Sequence, residues 1–99
     1  MFDNLPMILF DSDRVIALSN HGATILLESC QCSQITDLFP DLPQALVSFS
    51  ESNRSQMYFE REIQIDDRRR YFGIALKRLM TDYDAIALGT LASFYELTL

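Results

Sequence analysis

Polar and apolar positions alternate through the second half of the chain. Over residues 58–65, Phe59, Ile63 and Ile65 share one parity while Glu60, Glu62 and Gln64 share the other. The Asp66-Asp67 pair then breaks the run with a turn composition. Alternation resumes over residues 69–79, where Phe72, Ile74 and Leu76 lie on one face. A second polar turn, Thr81 to Asp84, leads into the apolar run 85–97. Period-2 alternation punctuated by Asp-rich turns predicts three antiparallel strands with one covered face.

The first half reads differently. Residues 7–10 and 15–18 are short apolar runs of strand type, separated by the turn composition Asp11-Ser12-Asp13-Arg14, and together predict a hairpin. Ser19 and Asn20 offer helix N-caps. Ala23, Leu26 and Leu27 follow at i, i+3 and i+4, a helical spacing that fades by Ser29. Ser33 is placed to cap a further turn that carries Ile35, Leu38 and Phe39, which Pro40 stops. Asp41 then looks like a cap, with Pro43 in the first turn and Gln44 three residues on, in the manner of a capping box. Leu42, Ala45, Leu46 and Phe49 form one helix face that predicts packing on the sheet. The order is strand, strand, three short helices, strand, strand, strand. That is an α+β fold: a five-stranded antiparallel sheet with short helices inserted after strand 2 and packed on one face.

Ninety-nine residues, 48% of them apolar, suit one domain with a single modest core. The net charge of −6 disfavours nucleic acid, whose phosphates need cationic partners. The basic run Arg68-Arg69-Arg70 sits beside Asp66 and Asp67 and reads as a solvated turn and strand edge. No stretch approaches the ~20 apolar residues of a membrane span, and the N-terminus lacks a basic leader, so a cytoplasmic domain without membrane contact is expected. Cys30 and Cys32 are too close for an unstrained disulfide, and with His21 as the single histidine they cannot complete a Cys/His zinc site. They read as two reduced, dispensable thiols. Carboxylates are plentiful, but no Ser-His-Asp or Cys-His set accompanies them, so an enzyme is not expected.

The order of elements, together with particular residues, resembles the PAS sensory domain family over nearly the whole chain. Residues 5–11, opening on Leu5-Pro6 and ending in Asp11, resemble the family's first strand. Residues 14–20 resemble its second, ending in the Asn that opens the first helix. Residues 35–40 resemble the segment before the long core helix, and 59–66 and 69–72 the third and fourth strands. Glu96-Leu97-Thr98 stands where many members carry Asp-Ile-Thr. Asp67 and Asp84 occupy turns where Gly is usual, which is physically reasonable because Asp tolerates positive φ better than most residues.

The resemblance implies a bacterial signal-transduction module whose output, of histidine kinase or diguanylate cyclase (GGDEF) type, lies C-terminal, so the 99 residues look like one domain of a longer protein. It implies binding of a small ligand or a partner, with the change carried through homodimer contacts; the alternative is a ligand-free dimerisation domain. Flavin-binding members carry an Asn-Cys-Arg-type segment that Cys30 and Cys32 lack, and haem-binding members use a core-helix histidine that residues 41–49 lack. Neither cofactor is expected. A ligand is expected between the helix 41–49 and the inner sheet face, lined by Leu46, Phe49, Phe59, Ile63, Phe72 and Ile74. Arg61 shares parity with Phe59 and Ile63 and so points inward toward an anionic ligand; the alternative is an internal ion pair or a strand irregularity that sends it to solvent. For the dimer, Met1, Phe2 and Leu5 are expected to meet Tyr71 and Ala75 on the outer sheet face.

Overall fold

A computed structural model describes residues 5–65, 67–80 and 87–97. The strands are β1 (Met7–Asp11), β2 (Ile16–Ser19), β3 (Gln56–Ile65), β4 (Arg68–Met80) and β5 (Ala87–Leu97). The helices are α1 (His21–Ser29), α2 (Ile35–Leu38) and α3 (Leu42–Glu51), all between β2 and β3. The five strands form one antiparallel sheet in the order β2-β1-β5-β4-β3. The α+β architecture expected from the sequence is present, with boundaries moved by one or two residues. β2 starts at Ile16 rather than Val15, α3 continues through Ser50 and Glu51, and β3 begins at Gln56.

Local chemistry explains the junctions. In the β1–β2 turn, Asp11 Oδ1 accepts from the backbone N–H groups of Asp13 and Val15, and Arg14 adopts a φ of 64°. Asn20 caps α1 as expected: its Oδ1 accepts from Ala23 N–H at 2.9 Å. The same oxygen accepts from Met7 N–H at 2.9 Å, and Nδ2 donates to the Leu5 carbonyl at 2.7 Å. One amide thus fastens the lead-in, β1 and α1 together. The β3–β4 hairpin turns through Asp67 at a φ of 66°, the left-handed conformation that Asp tolerates. The second expected turn, Thr81 to Asp84, lies outside the described residues, as does Asp66.

Two capping expectations need correction. α2 takes Gln34 rather than Ser33 as its N-cap, while Ser33 donates its hydroxyl to the Asp37 carboxylate. Asp41 stands at the N-cap of α3 with Pro43 in the first turn, but its side chain makes no capping hydrogen bond. A stronger partner takes that carboxylate: Arg61 Nε donates to Asp41 Oδ2 across from β3. The carboxylate pairs with a full positive charge in place of the partial charges of the helix-end N–H groups.

The core lies between the helices and the inner sheet face. Ile8, Phe10, Phe72, Ile74, Leu76, Ala92 and Phe94 are buried from the sheet side, and Leu26, Ile35, Leu42, Leu46 and Phe49 from the helices. Phe39, at the end of α2, lies between the layers. Its ring stacks on Phe94 at 5.3 Å and meets Phe72 edge-on at 5.7 Å. Such aromatic pairs add attraction beyond the area they bury.

At Gly89, opposite Asp11, the backbone of β1 comes so close that an added Cβ would sit 2.1 Å from the Phe10 carbonyl oxygen. Because that neighbour is backbone, it cannot rotate away. Gly89→Ala is expected to destabilise the domain by about 2 kcal/mol, measured as a lower urea midpoint with unchanged slope. A midpoint equal to wild type would refute the close approach.

Candidate functional site

The inner parity of β4 and β5 runs from apolar to charged toward one end of the sheet. On β4 it passes through Leu76, Ile74 and Phe72 to Arg70; on β5 it passes through Ala92 and Phe94 to Glu96. The C-terminal half of α1 and the Leu5-Pro6 lead-in stand over that end. Between them an open groove of about 730 Å³ is lined by Leu5, Pro6, Ile25, Leu26, Phe72 and Phe94, with Ser29, Arg70 and Glu96 as its polar part. Apolar walls with a few fixed polar groups are the usual make-up of a small-ligand site.

Arg70 organises the polar end. Its Nε and Nη2 donate to the two Glu96 carboxylate oxygens at 2.8 and 2.7 Å, a bidentate pair. Nη1 faces the end of α1, 3.3 Å from Ser29 Oγ and 3.2 Å from Cys30 Sγ. The guanidinium carbon lies 5.3 Å from the Phe72 ring centre. The expectation that Arg68, Arg69 and Arg70 form one solvated run therefore fails at its last member. Arg68 and Arg69 are exposed, with Arg69 3.4 Å from Glu62, but the Arg70 side chain is only 19% exposed. Its parity with Phe72 and Ile74 was the available signal.

The apolar residues named from sequence as ligand lining come together in the packed core rather than around an open site. Leu46, Phe49, Phe72 and Ile74 are fully buried, and Phe59 and Ile63 pack half-buried against that core. Of these, only Phe72 lines the groove. Arg61 does not enter the interior: it is exposed, paired with Asp41 and stacked over Phe59 at 4.7 Å, the internal ion pair weighed above. Cys30 is buried and Cys32 half-buried, both as free thiols. Partial burial and the neighbouring Cys30 and Asp37 push the Cys32 thiol upward, which keeps it protonated. His21 is exposed at the start of α1. Among the described residues, no three His, Cys, Asp or Glu side chains gather as a metal site, and no helix is long and apolar enough to cross a membrane.

The outer sheet face carries a second depression of about 740 Å³, lined by Tyr58, Ala75, Lys77, Leu91, Tyr95 and Leu97, among others. Leu18, on the edge strand β2, is 68% exposed. Tyr71 and Ala75 lie half-buried on this face, whereas Leu5 is drawn into the α1 groove. Met1 and Phe2 lie outside the described residues.

Two solved structures that share this architecture are PAS domains. One, from a protein of Colwellia psychrerythraea, superposes with a TM-score of 0.68 at 15% identity, covering 98% of this chain and 89% of that one. Another, the PAS domain of BvgS from Bordetella pertussis, gives a TM-score of 0.65 at 11% identity over 97% of this chain and 76% of that one. The chain has the PAS fold. No family model and no curated protein matches it in sequence. Glu96, near the end of β5, is paired with Arg70.

The hydrogen bonds from Arg70 lower the Glu96 carboxyl below the ordinary carboxylate range, opposed by a smaller effect of partial burial. A carboxyl lowered by folding contributes stability above its unfolded pKa and loses it as pH falls through the lowered value. Glu96→Gln is therefore expected to flatten the acid limb of stability against pH, read in urea melts from neutral pH downward. The effect is modest because Glu96 is half exposed. An acid limb as steep as wild type would mean that the pair adds nothing.

Proposed function

We propose that this PAS-fold domain is the sensory or regulatory module of a bacterial signal-transduction protein. In that reading it serves a histidine kinase or diguanylate cyclase output, binds a small molecule, and passes the change on through dimer contacts. The observation that carries it is the open apolar groove beneath α1. Its polar end is built by Arg70 and Glu96 where the last strand nears its end. A ligand there touches β5 directly, so occupancy bears on the strand that runs toward whatever follows.

A thermal-shift screen against small apolar and amphipathic molecules tests the ligand reading. Hits are expected to raise the melting temperature of the wild type but not of Ile25→Arg, which places a long charged side chain across the groove. If no compound discriminates between the two, the ligand reading fails.

The second reading, a ligand-free dimerisation domain, draws on the outer face. Leu9, Leu91, Tyr58, Tyr95 and Ala75 share that side of the sheet, which is less polar than a solvated face. Both readings place a homodimer there, with Met1 and Phe2 joining Tyr71 and Ala75. Sedimentation at micromolar concentration is expected to give twice the 11.4 kDa chain mass, falling to the monomer in Ala75→Arg. A wild type that sediments as the monomer would reject the dimer.

A further inference from the structure

Granted that the groove is the ligand site, as proposed above, we infer that its ligand is a small amphipathic carboxylic acid whose carboxylate takes the place of Glu96 on Arg70. The guanidinium is held from two sides that do not involve Glu96. Nη1 faces Ser29 and Cys30 at the end of α1, and the Phe72 ring supports its face. The remaining edge, Nε with Nη2, is the one that Glu96 grips with both oxygens. That edge is a fork matched to a carboxylate, and any carboxylate of the same geometry can occupy it.

The two partners differ in how readily they let go. The Arg70 side chain is 19% exposed and wedged between α1 and the sheet, whereas that of Glu96 is 50% exposed. Glu96 can swing into water, where its charge is fully hydrated, while Arg70 stays and needs an anion. An incoming carboxylate replaces one anion by another and leaves the arginine paired throughout. Beyond the fork, the groove offers Ile25, Leu26, Phe72 and Phe94, which suit a hydrocarbon body and no further charge. Among the described residues lining it, Arg70 is the one cation and Glu96 the one anion. The chain's net charge of −6 opposes anions at long range, but salt screens that field within about 8 Å at physiological ionic strength.

Head-group identity is the test. Octanoate, octanol and octylamine, each below the concentration at which it self-associates, are titrated into the full 99-residue chain and followed by amide NMR shifts. Octanoate is expected to bind about tenfold or more tightly than the other two, with shifts centred on Ile25, Phe72 and Phe94. Glu96→Gln, which removes the competing anion, is expected to tighten octanoate several-fold and leave octanol unchanged. Arg70→Gln is expected to erase the preference; should that variant not fold, the Glu96→Gln comparison decides alone. Octanol or octylamine binding in the groove as tightly as octanoate overturns the carboxylate inference and leaves the groove standing as a ligand site. Shifts confined to another surface, or none with any of the three, overturn both.

Discussion

Phe39 is the residue on which the two layers close. It follows the single turn of α2, donates its N–H to the Ile35 carbonyl, and accepts at its own carbonyl from Leu42 N–H as α3 begins. Its ring therefore sits at a fixed junction and drops onto Phe94 and Phe72 at the middle of the sheet. In a chain of this length a buried aromatic side chain is a large share of the core. Phe39 and Phe49 fill the space that α3 covers. Under α1, at the far end of β4 and β5, the groove opens beside this full core, with Phe72 and Phe94 among its lining.

Three arginines fasten the helical layer to the sheet, each with its guanidinium over a phenylalanine ring. Arg61 reaches from β3 to Asp41 at the start of α3. Arg78 reaches from β4 to the end of α3, donating to the carbonyls of Phe49 and Ser52 at 2.6 and 2.8 Å. Arg70 reaches from β4 to the end of α1 and to β5. The pattern suits arginine chemistry: a flat, delocalised cation lies over a ring while its edge donates in the plane. At Arg78 the cation also meets the negative end of a helix dipole. The Arg61–Asp41 tie lies at the surface with both side chains about equally exposed, whereas Arg70 is largely buried at the end of a groove and its carboxylate partner is half exposed.

The two faces of the sheet differ in make-up. The inner face is almost entirely committed to the core, and the α1 groove opens at its charged end. The outer face is continuous and mildly apolar. Gly73 leaves it open enough that the Tyr58 ring lies directly over the backbone of β4.

Alternation and turn chemistry, read along the chain, were enough for the element order, for the inward parity of Phe72, Ile74 and Leu76, for the Asn20 cap and for the left-handed turn at Asp67. These depend on neighbours a few residues apart, and local backbone sterics and hydrogen bonding decide them. The fates of Arg61 and Arg70 were not legible in that way. Both share parity with core residues, yet one is exposed on the edge strand β3 and the other is held beneath α1 on β4. Parity says which face a side chain joins, not how much of that face the helices cover. Likewise, nothing near Asp41 announces that Arg61, twenty residues on, will draw its carboxylate away from the helix end. The pairing of Arg70 with Glu96, and with it the polar end of the groove, required β4 and β5 to lie side by side in one particular register. Coverage and long-range partnership are set when the layers pack, so only the tertiary structure decided them.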